Sequence, residues 1–330
     1  MRTAASLAIL GLAALALANP ALAFDCAKAA TKVEKAICAD PAVKAKDDAM
    51  TALYNDIKSL SSDAEKKMLA RSQKNWIDGR ESDCGTTGDA EIGFCIRTHI
   101  ENRLAALTVK AEGGSGPGSR MIPVFAVQAG GKGLYEIDFE LVRFADPKTA
   151  GEKRFNAAMA KIFASAPLGK QKDHANDETL GSTSIVSLSY ASPQLISALD
   201  TYGGDSGGAH PNGGTGNLNI DMATGKELQI GQVFSEAAAA KLGKLCRDQI
   251  VAQKREKQDG GQYDPAKDDF LKDDVIAEHI ATFSRWSFRA DEVTVSFDAY
   301  AIGPYTEGEY QCFFQMKDLQ AMALPEAPLP

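Results

Sequence analysis

The chain has 330 residues, six cysteines, only four histidines, and 36 Lys and Arg against 44 Asp and Glu, a formal charge of −8. Excess acid repels phosphate backbones and anionic lipid, so nucleic-acid and membrane-surface partners are disfavoured and a basic partner fits better. The length exceeds the ~100–200 residues of one ordinary domain, so two are expected.

Residues 1–23 read as a cleavable signal peptide, with Arg2, an apolar run from Leu7 to Leu17, and Ala21-Leu22-Ala23 at the cleavage point. The run is shorter than the roughly 20 residues needed to span a bilayer, so removal is expected rather than a retained anchor. Phe24-Asp25 ahead of Cys26 does not suit lipid attachment, which needs small residues before the modified cysteine. Removing Arg2 leaves 35 − 44 = −9 on the mature chain. The expected location is the periplasm or the medium, where six cysteines predict three disulfides.

Residues 24–109 contain one proline and four cysteines and read as a small disulfide-stapled all-α bundle. Thr31 with Glu34 and Ser62 with Glu65 form capping boxes, and Asp40-Pro41 places proline at a first helical position. Met50, Leu53, Tyr54, Ile57 and Leu60 mark one apolar face, Leu69, Trp76 and Ile77 a second, and Ile96, Ile100, Leu104 and Leu107 a third. Three pairings of Cys26, Cys38, Cys84 and Cys95 exist. A continuous helix would hold Cys26 and Cys38 ~18 Å apart, beyond disulfide reach, although the Thr31 cap puts Cys26 outside the helix. Pairs that staple the first segment to the Cys84–Cys95 region are favoured because they close the longest loops, and the pairing stays open.

Residues 110–120 include Gly113-Gly-Ser-Gly-Pro-Gly-Ser119 and read as a flexible linker. Beyond it, residues 121–325 show β-rich runs at 121–128, 134–144, 183–191, 216–222, 292–300 and 310–316, with helices expected at 150–165, 236–254 and 265–283, the last two joined by a Gly-Gly turn; 326–330 form a tail. This order reads as an α+β domain with an antiparallel sheet covered on one side. Cys246 and Cys312 are the two cysteines here and are expected to pair.

Gly204-Asp205-Ser206-Gly207-Gly208 copies the nucleophile segment of chymotrypsin-like proteases, but such an enzyme needs a base histidine and an orienting aspartate from an upstream β-barrel. The chain offers only His99 on a bundle helix and His174 in a polar loop, so the protease reading is rejected. Seven glycines between Thr201 and Gly216 suit turns and close strand approach instead. The four histidines are scattered without ligand spacing, so no metal and no cofactor is expected. Asp173, Asp177, Asp268, Asp269, Asp273 and Asp274 sit in polar runs and read as a solvated face. Tyr305, on the Pro/Gly-shaped loop 303–308, reads either as a recognition residue or as a packing residue.

Asp25-Cys26, Val33-Glu34-Lys35-Ala36-Ile37-Cys38, Asp40-Pro41, Gln73-Lys-Asn-Trp76, Arg80, Cys84, Cys95 and Arg103-Leu104 occur in an order that resembles the LprI family of lysozyme inhibitors over nearly all of 24–109. The loop between Cys84 and Cys95 looks longer than in that family. Tyr202, Gly207-Gly-Ala-His210-Pro211-Asn212, Leu218 to Asp221, Thr224 to Glu227, Phe234, Val295 to Tyr300 and Ile302-Gly303-Pro304-Tyr305 look like the C-terminal domain shared by the anti-sigma factor RsiV and the peptidoglycan deacetylase PdaC. In RsiV that domain senses lysozyme; in PdaC the catalytic segment lies elsewhere. The resemblances imply a non-catalytic envelope protein that binds or inhibits a lysozyme-type muramidase, with peptidoglycan binding as the alternative. His210, Asn212, Pro304 and Tyr305 are the expected contact residues.

Overall fold

The structure, a computed structural model, describes residues 24–131, 133–170, 180–207, 210–257 and 263–330. The signal-peptide reading, His174 and the Gly260-Gly261 turn lie outside these residues.

Helices α1 (Lys32–Ala39), α2 (Pro41–Leu60), α3 (Asp63–Gly85) and α4 (Ile92–Leu107) form the N-terminal bundle. The Thr31–Glu34 and Ser62–Glu65 boxes are closed in both directions, and the Asp40 carboxylate accepts from the Ala42 and Val43 amides. Such caps contribute about 1 kcal/mol each by satisfying amides that the helix cannot. Val33, Ile37, Val43, Met50, Ile57, Leu69, Ile96 and Ile100 fill the core. Both bridges in the bundle are local, Cys26–Cys38 and Cys84–Cys95, which corrects the expected cross-stapling. Cys26 lies in a 3-10 turn ahead of the Thr31 cap, so the chain folds back and its Cα comes within 5.7 Å of that of Cys38. Cys84 near the end of α3 and Cys95 in the first turn of α4 close the connection between those helices.

Strand β1 (Met121–Gln128) runs antiparallel to β2 (Glu136–Phe144). Helix α5 (Ala150–Ser165) follows, and β3 (Gly181–Ala191) then lies parallel to β2. β4 (Leu195–Asp205), β5 (Asn212–Asp221) and the short β6 (Lys226–Glu227) complete a six-stranded sheet in sequence order. The sheet is therefore mixed rather than wholly antiparallel, because a helical crossover lets β3 run in the direction of β2. After α6 (Ile230–Val233) come α7 (Glu236–Lys257), α8 (Asp273–Ala281), the antiparallel strands β7 (Trp286–Phe288), β8 (Glu292–Phe297) and β9 (Tyr310–Gln315), and α9 (Met316–Gln320). The helix expected over 265–283 is confined to α8, since Asp268 is drawn into the contacts described below. Trp286, Phe288, Val293, Val295, Phe297 and Tyr310 build a second core against α7 and α8, and Cys246–Cys312 ties α7 to β9. The Asn219 amide of β5 donates to the carbonyls of Phe283 and Trp286, joining the two sheets.

β1 is an edge strand, consistent with Pro123 within it, yet both of its faces are covered. Phe125 and Val127 join the helical core, while Val124 packs with Phe155 and Met159 of α5. Arg143 of β2 grips Glu65 of α3 with two hydrogen bonds, at 2.6 and 2.9 Å, and donates to the Leu60 carbonyl. The segment expected to be a flexible linker is held down: Ala111 bridges to Leu188, Gly116 donates to the Ala191 carbonyl, and Arg289 pairs with Glu112. Its glycines permit close approach, since a Cβ on Gly114 would strike the Ala191 carbonyl. No helix of the described residues is long and apolar enough to cross a membrane.

Burial alone would raise the Glu65 carboxyl, but hydrogen bonds from Arg143 and the Ser62 amide outweigh it and hold the group below its ordinary value. A depressed folded-state pKa gives stability that is complete above the unfolded value and is lost as pH falls through the folded one. Glu65→Gln should cost about 2 kcal/mol near neutrality. Urea denaturation should show the gap from wild type closing as pH drops below the ordinary carboxylate range; a gap independent of pH would contradict the assignment.

Candidate partner-binding face

Two loops meet at one end of the domain, the β4–β5 hairpin and the β8–β9 connection. In the first, the Asp205 carboxylate accepts from the Gly207 amide at 2.8 Å, and Gly207 takes a φ of +81° that an L side chain rarely adopts. The His210 ring then stacks on Tyr305 with centroids 3.8 Å apart and planes 16° from parallel. Tyr300 closes the group, 5.5 Å from Tyr305, with its hydroxyl 3.3 Å from His210 Nε2. Tyr300 has a φ of +72°, the one left-handed non-glycine among the described residues. That conformation costs about 1–3 kcal/mol and persists only where the surroundings over-determine it.

Asp298, two residues earlier, supplies that determination. Its carboxylate accepts from the Thr215 amide at 2.9 Å, the Thr215 hydroxyl at 3.2 Å and Arg285 at 2.6 Å. A Cβ on Gly214 would sit 2.8 Å from Asp298 Oδ2 and 3.0 Å from the Tyr202 hydroxyl, so glycine is what lets β5 pass beneath.

The β8–β9 connection is anchored from the other side by a buried cation. Lys254 of α7 is 0% exposed, and its ammonium lies 2.8 Å from Asp268 and 3.1 Å from Glu307. Tyr263 donates to Asp268 at 2.7 Å and Tyr310 to Glu307 at 2.5 Å, while Lys257 donates to the carbonyls of Glu307 and Glu309. A Cβ on Gly303 would collide with the Glu307 carboxylate, so the turn Tyr305–Glu307 closes only over glycine. Burial, and then the hydrogen bonds to carboxylates, push both tyrosine hydroxyls well above their ordinary pKa. Burial works against the charge on Asp268, but bonds from Lys254 and Tyr263 hold it below the usual carboxylate range. The two tyrosines thus stay protonated and Asp268 stays ionised at neutral pH, as their contacts require.

His210 and Tyr305 touch, as just described. Pro304 immediately precedes the Tyr305 turn, and Asn212 opens β5 opposite Gly204, exposed at the rim. Tyr305 is 38% exposed and Tyr300 57%, so the stack presents ring surface to solvent. Tyr300 does not stand out in the sequence because 292–300 reads as one strand, whereas β8 ends at Phe297 and a turn follows. Asp268 is not on a solvated face but is a partner of the buried lysine. Among the described residues no hydrogen bond joins Ser206 to a histidine or a carboxylate, and the His210 ring is occupied by Tyr305 and the Pro211 carbonyl. Cys84, Cys95 and His99 lie close enough to hold an ion, but the two sulfurs are bonded to each other.

The motif residues of the bundle form a second constellation. Arg80 pairs with Asp47 at 3.3 Å, both buried, and lies over the Trp76 ring. Trp76 donates to the His99 carbonyl, and Arg103 binds Gln73 and Ser72 while covering Phe125 of β1. Phe94, beside the Cys84–Cys95 loop, is 69% exposed.

Residues 26–107 match the family model described as lysozyme inhibitor LprI, and residues 232–316 match that of a protein family of unknown function, DUF3298. One stretch of the chain, within the helical bundle, is thus similar to LprI, and a second, from α6 to the start of α9, is similar to DUF3298. The second match is consistent with the RsiV- and PdaC-like character of the C-terminal part, and neither family is known as catalytic. Among solved structures, a DUF3298 family member from Bacteroides fragilis aligns at 14% identity over 63% of this chain and 94% of its own, with a TM-score of 0.45. A DUF3298 family protein from Pseudomonas aeruginosa aligns at 14% identity over 66% and 99%, with a TM-score of 0.41. No curated protein matches. The three disulfides suit an oxidising compartment.

Replacing Lys254 by methionine removes the fully buried cation that the part-buried carboxylates of Asp268 and Glu307 share. Such a loss costs about 3–5 kcal/mol. Urea denaturation of Lys254→Met should show a fall of that order; stability close to wild type would show that the cation does not anchor the loop.

Proposed function

We propose that this is an exported, non-catalytic envelope protein that binds and inhibits lysozyme-type muramidases. The observation that supports the reading is the match of residues 26–107 to the family model described as lysozyme inhibitor LprI. The His210–Tyr300–Tyr305 stack is the contact face we assign to the other domain, with Asn212 and Pro304 at its rim. Exposed aromatic rings held rigid deliver large contact area at little ordering cost, which is the usual composition of an interface hot spot. The acidic chain, −8 in formal charge, adds salt-dependent attraction to a basic enzyme and speeds encounter. Phe94, exposed beside the disulfide-closed loop, is the corresponding apolar contact on the bundle.

Calorimetry of the chain from Phe24 onward with hen egg-white lysozyme, paired with a turbidity assay of cell-wall lysis, tests this directly. Binding should slow lysis and weaken as salt rises. Tyr305→Ala should weaken it about tenfold or more, as removal of a hot-spot ring does. The absence of binding and of inhibition across c-, g- and i-type lysozymes would sink the reading.

A further inference from the structure

The bundle covers β1 but leaves open a groove in the corner between α3, α4 and the sheet, with a cavity of about 420 Å³ lined by Asn75, Trp76, Asn102, Arg103, Asp138 and Glu140 among others. A second cavity of about 200 Å³ shares Ala106 and Glu140 with it, so the groove continues along α4 toward Val109 and Ile185. The strand register sets its floor. Val127 faces Asp138 and Phe125 faces Glu140 across the β1–β2 ladder, so both carboxylates point to the side on which Arg103 covers Phe125.

Arg103 is 5% exposed and spends two of its nitrogens on Gln73 and Ser72. Its Nη2 is buried and has no partner among the described residues. A buried donor left unsatisfied costs about 1–3 kcal/mol, so its retention asks for a ligand. Glu140 lies near enough to favour the guanidinium charge but forms no ion pair with it. Asp138, Glu140 and the neighbouring Glu136 likewise have no side-chain hydrogen bond among the described residues. Partial burial first, then the neighbouring acids, hold the carboxyls of Asp138 and Glu140 above the usual range.

The wall of the groove therefore holds an unfilled donor beside unfilled acceptors. An anion would satisfy Arg103 and be repelled by three carboxylates. A simple cation would satisfy the carboxylates and leave Arg103 without an acceptor. A hydroxyl group both donates and accepts, and a row of hydroxyls serves both sets at once. Two side-chain amides on the same wall, those of Asn75 and Asn102, extend that match. From this juxtaposition we infer that the groove along α4 is a binding site for a neutral, hydroxyl-rich oligosaccharide, separate from the His210–Tyr305 face and independent of the lysozyme reading. The elongated shape suits a linear glycan rather than a single sugar.

Trp76 lines the groove and Trp286 is fully buried, so tryptophan fluorescence reports occupancy through Trp76. The chain from Phe24 onward is titrated with chitotetraose, cellotetraose and maltotetraose, with spermidine and tetraalanine as cationic and peptide controls. At least one tetrasaccharide should bind saturably with one site. Asp138→Ala and Glu140→Ala should weaken that binding about tenfold, Asn102→Ala by several-fold, and Tyr305→Ala should leave it unchanged. Asn102 and Asp138 lie at the exposed rim, so these variants keep the fold even if a change at Arg103 does not. Retention on purified sacculi that free tetrasaccharide competes away identifies a wall glycan as the source, and sugar binding without retention identifies a soluble one. Failure of every tetrasaccharide at millimolar concentration, binding indifferent to all three groove variants, or binding of spermidine or tetraalanine in their place would overturn the assignment.

Discussion

The fully buried ammonium of Lys254 fixes the shape of the candidate face. A lysine without solvent is stable only if its charge is met, and here Asp268 and Glu307 meet it from two otherwise unrelated segments. Glu307 sits at the end of the turn that carries Tyr305, so satisfying the lysine also sets the ring. Asp298 performs the matching task for the hairpin by holding Thr215 and Arg285. Two carboxylates, each bound to a different part of the framework, thus bring His210, Tyr300 and Tyr305 into one stack, and Gly303 and Gly214 provide the room.

The helical bundle depends on the sheet for its last wall. Phe125 and Val127 complete its core, Arg143 clamps the start of α3, and the glycine-rich segment between the halves is pinned along β3. The same docking creates the α4 groove, because the bundle covers β1 while Asp138 and Glu140 of β2 remain at its margin. The arrangement makes one rigid support for two surfaces of different chemistry, an aromatic stack and a polar groove.

Much of the bundle was legible from residue order. Thr31, Asp40 and Ser62 mark helix starts because capping is a local interaction, and the apolar spacing of Ile96, Ile100, Leu104 and Leu107 survives in the fold. What was not legible depends on contacts distant in sequence. The pairing of Cys26 with Cys38 turns on a short 3-10 turn, and the docking of 110–119 turns on β3 lying beside it. Strand β4 has no clear sequence signal because its outer half, Thr201 to Asp205, is polar and glycine-rich and is held by pairing with Asn212 to Thr215. At the candidate face, His210 and Tyr305 stand out from a proline- and glycine-shaped context. Tyr300 does not, since a left-handed tyrosine leaves no local signature. The role of Asp268 is equally hidden, being defined by a lysine fourteen residues earlier on another element.

The proposal that ties these parts together is that the stacked face, held from beneath by Lys254 and Asp298, meets the muramidase. Amide hydrogen exchange of the chain with and without a saturating amount of hen egg-white lysozyme tests it most directly. Lysozyme should slow exchange in 210–216 and 298–308, the two loops that carry His210, Tyr300 and Tyr305. Exchange in both loops unaltered by bound lysozyme, with protection confined to other surfaces, would contradict it.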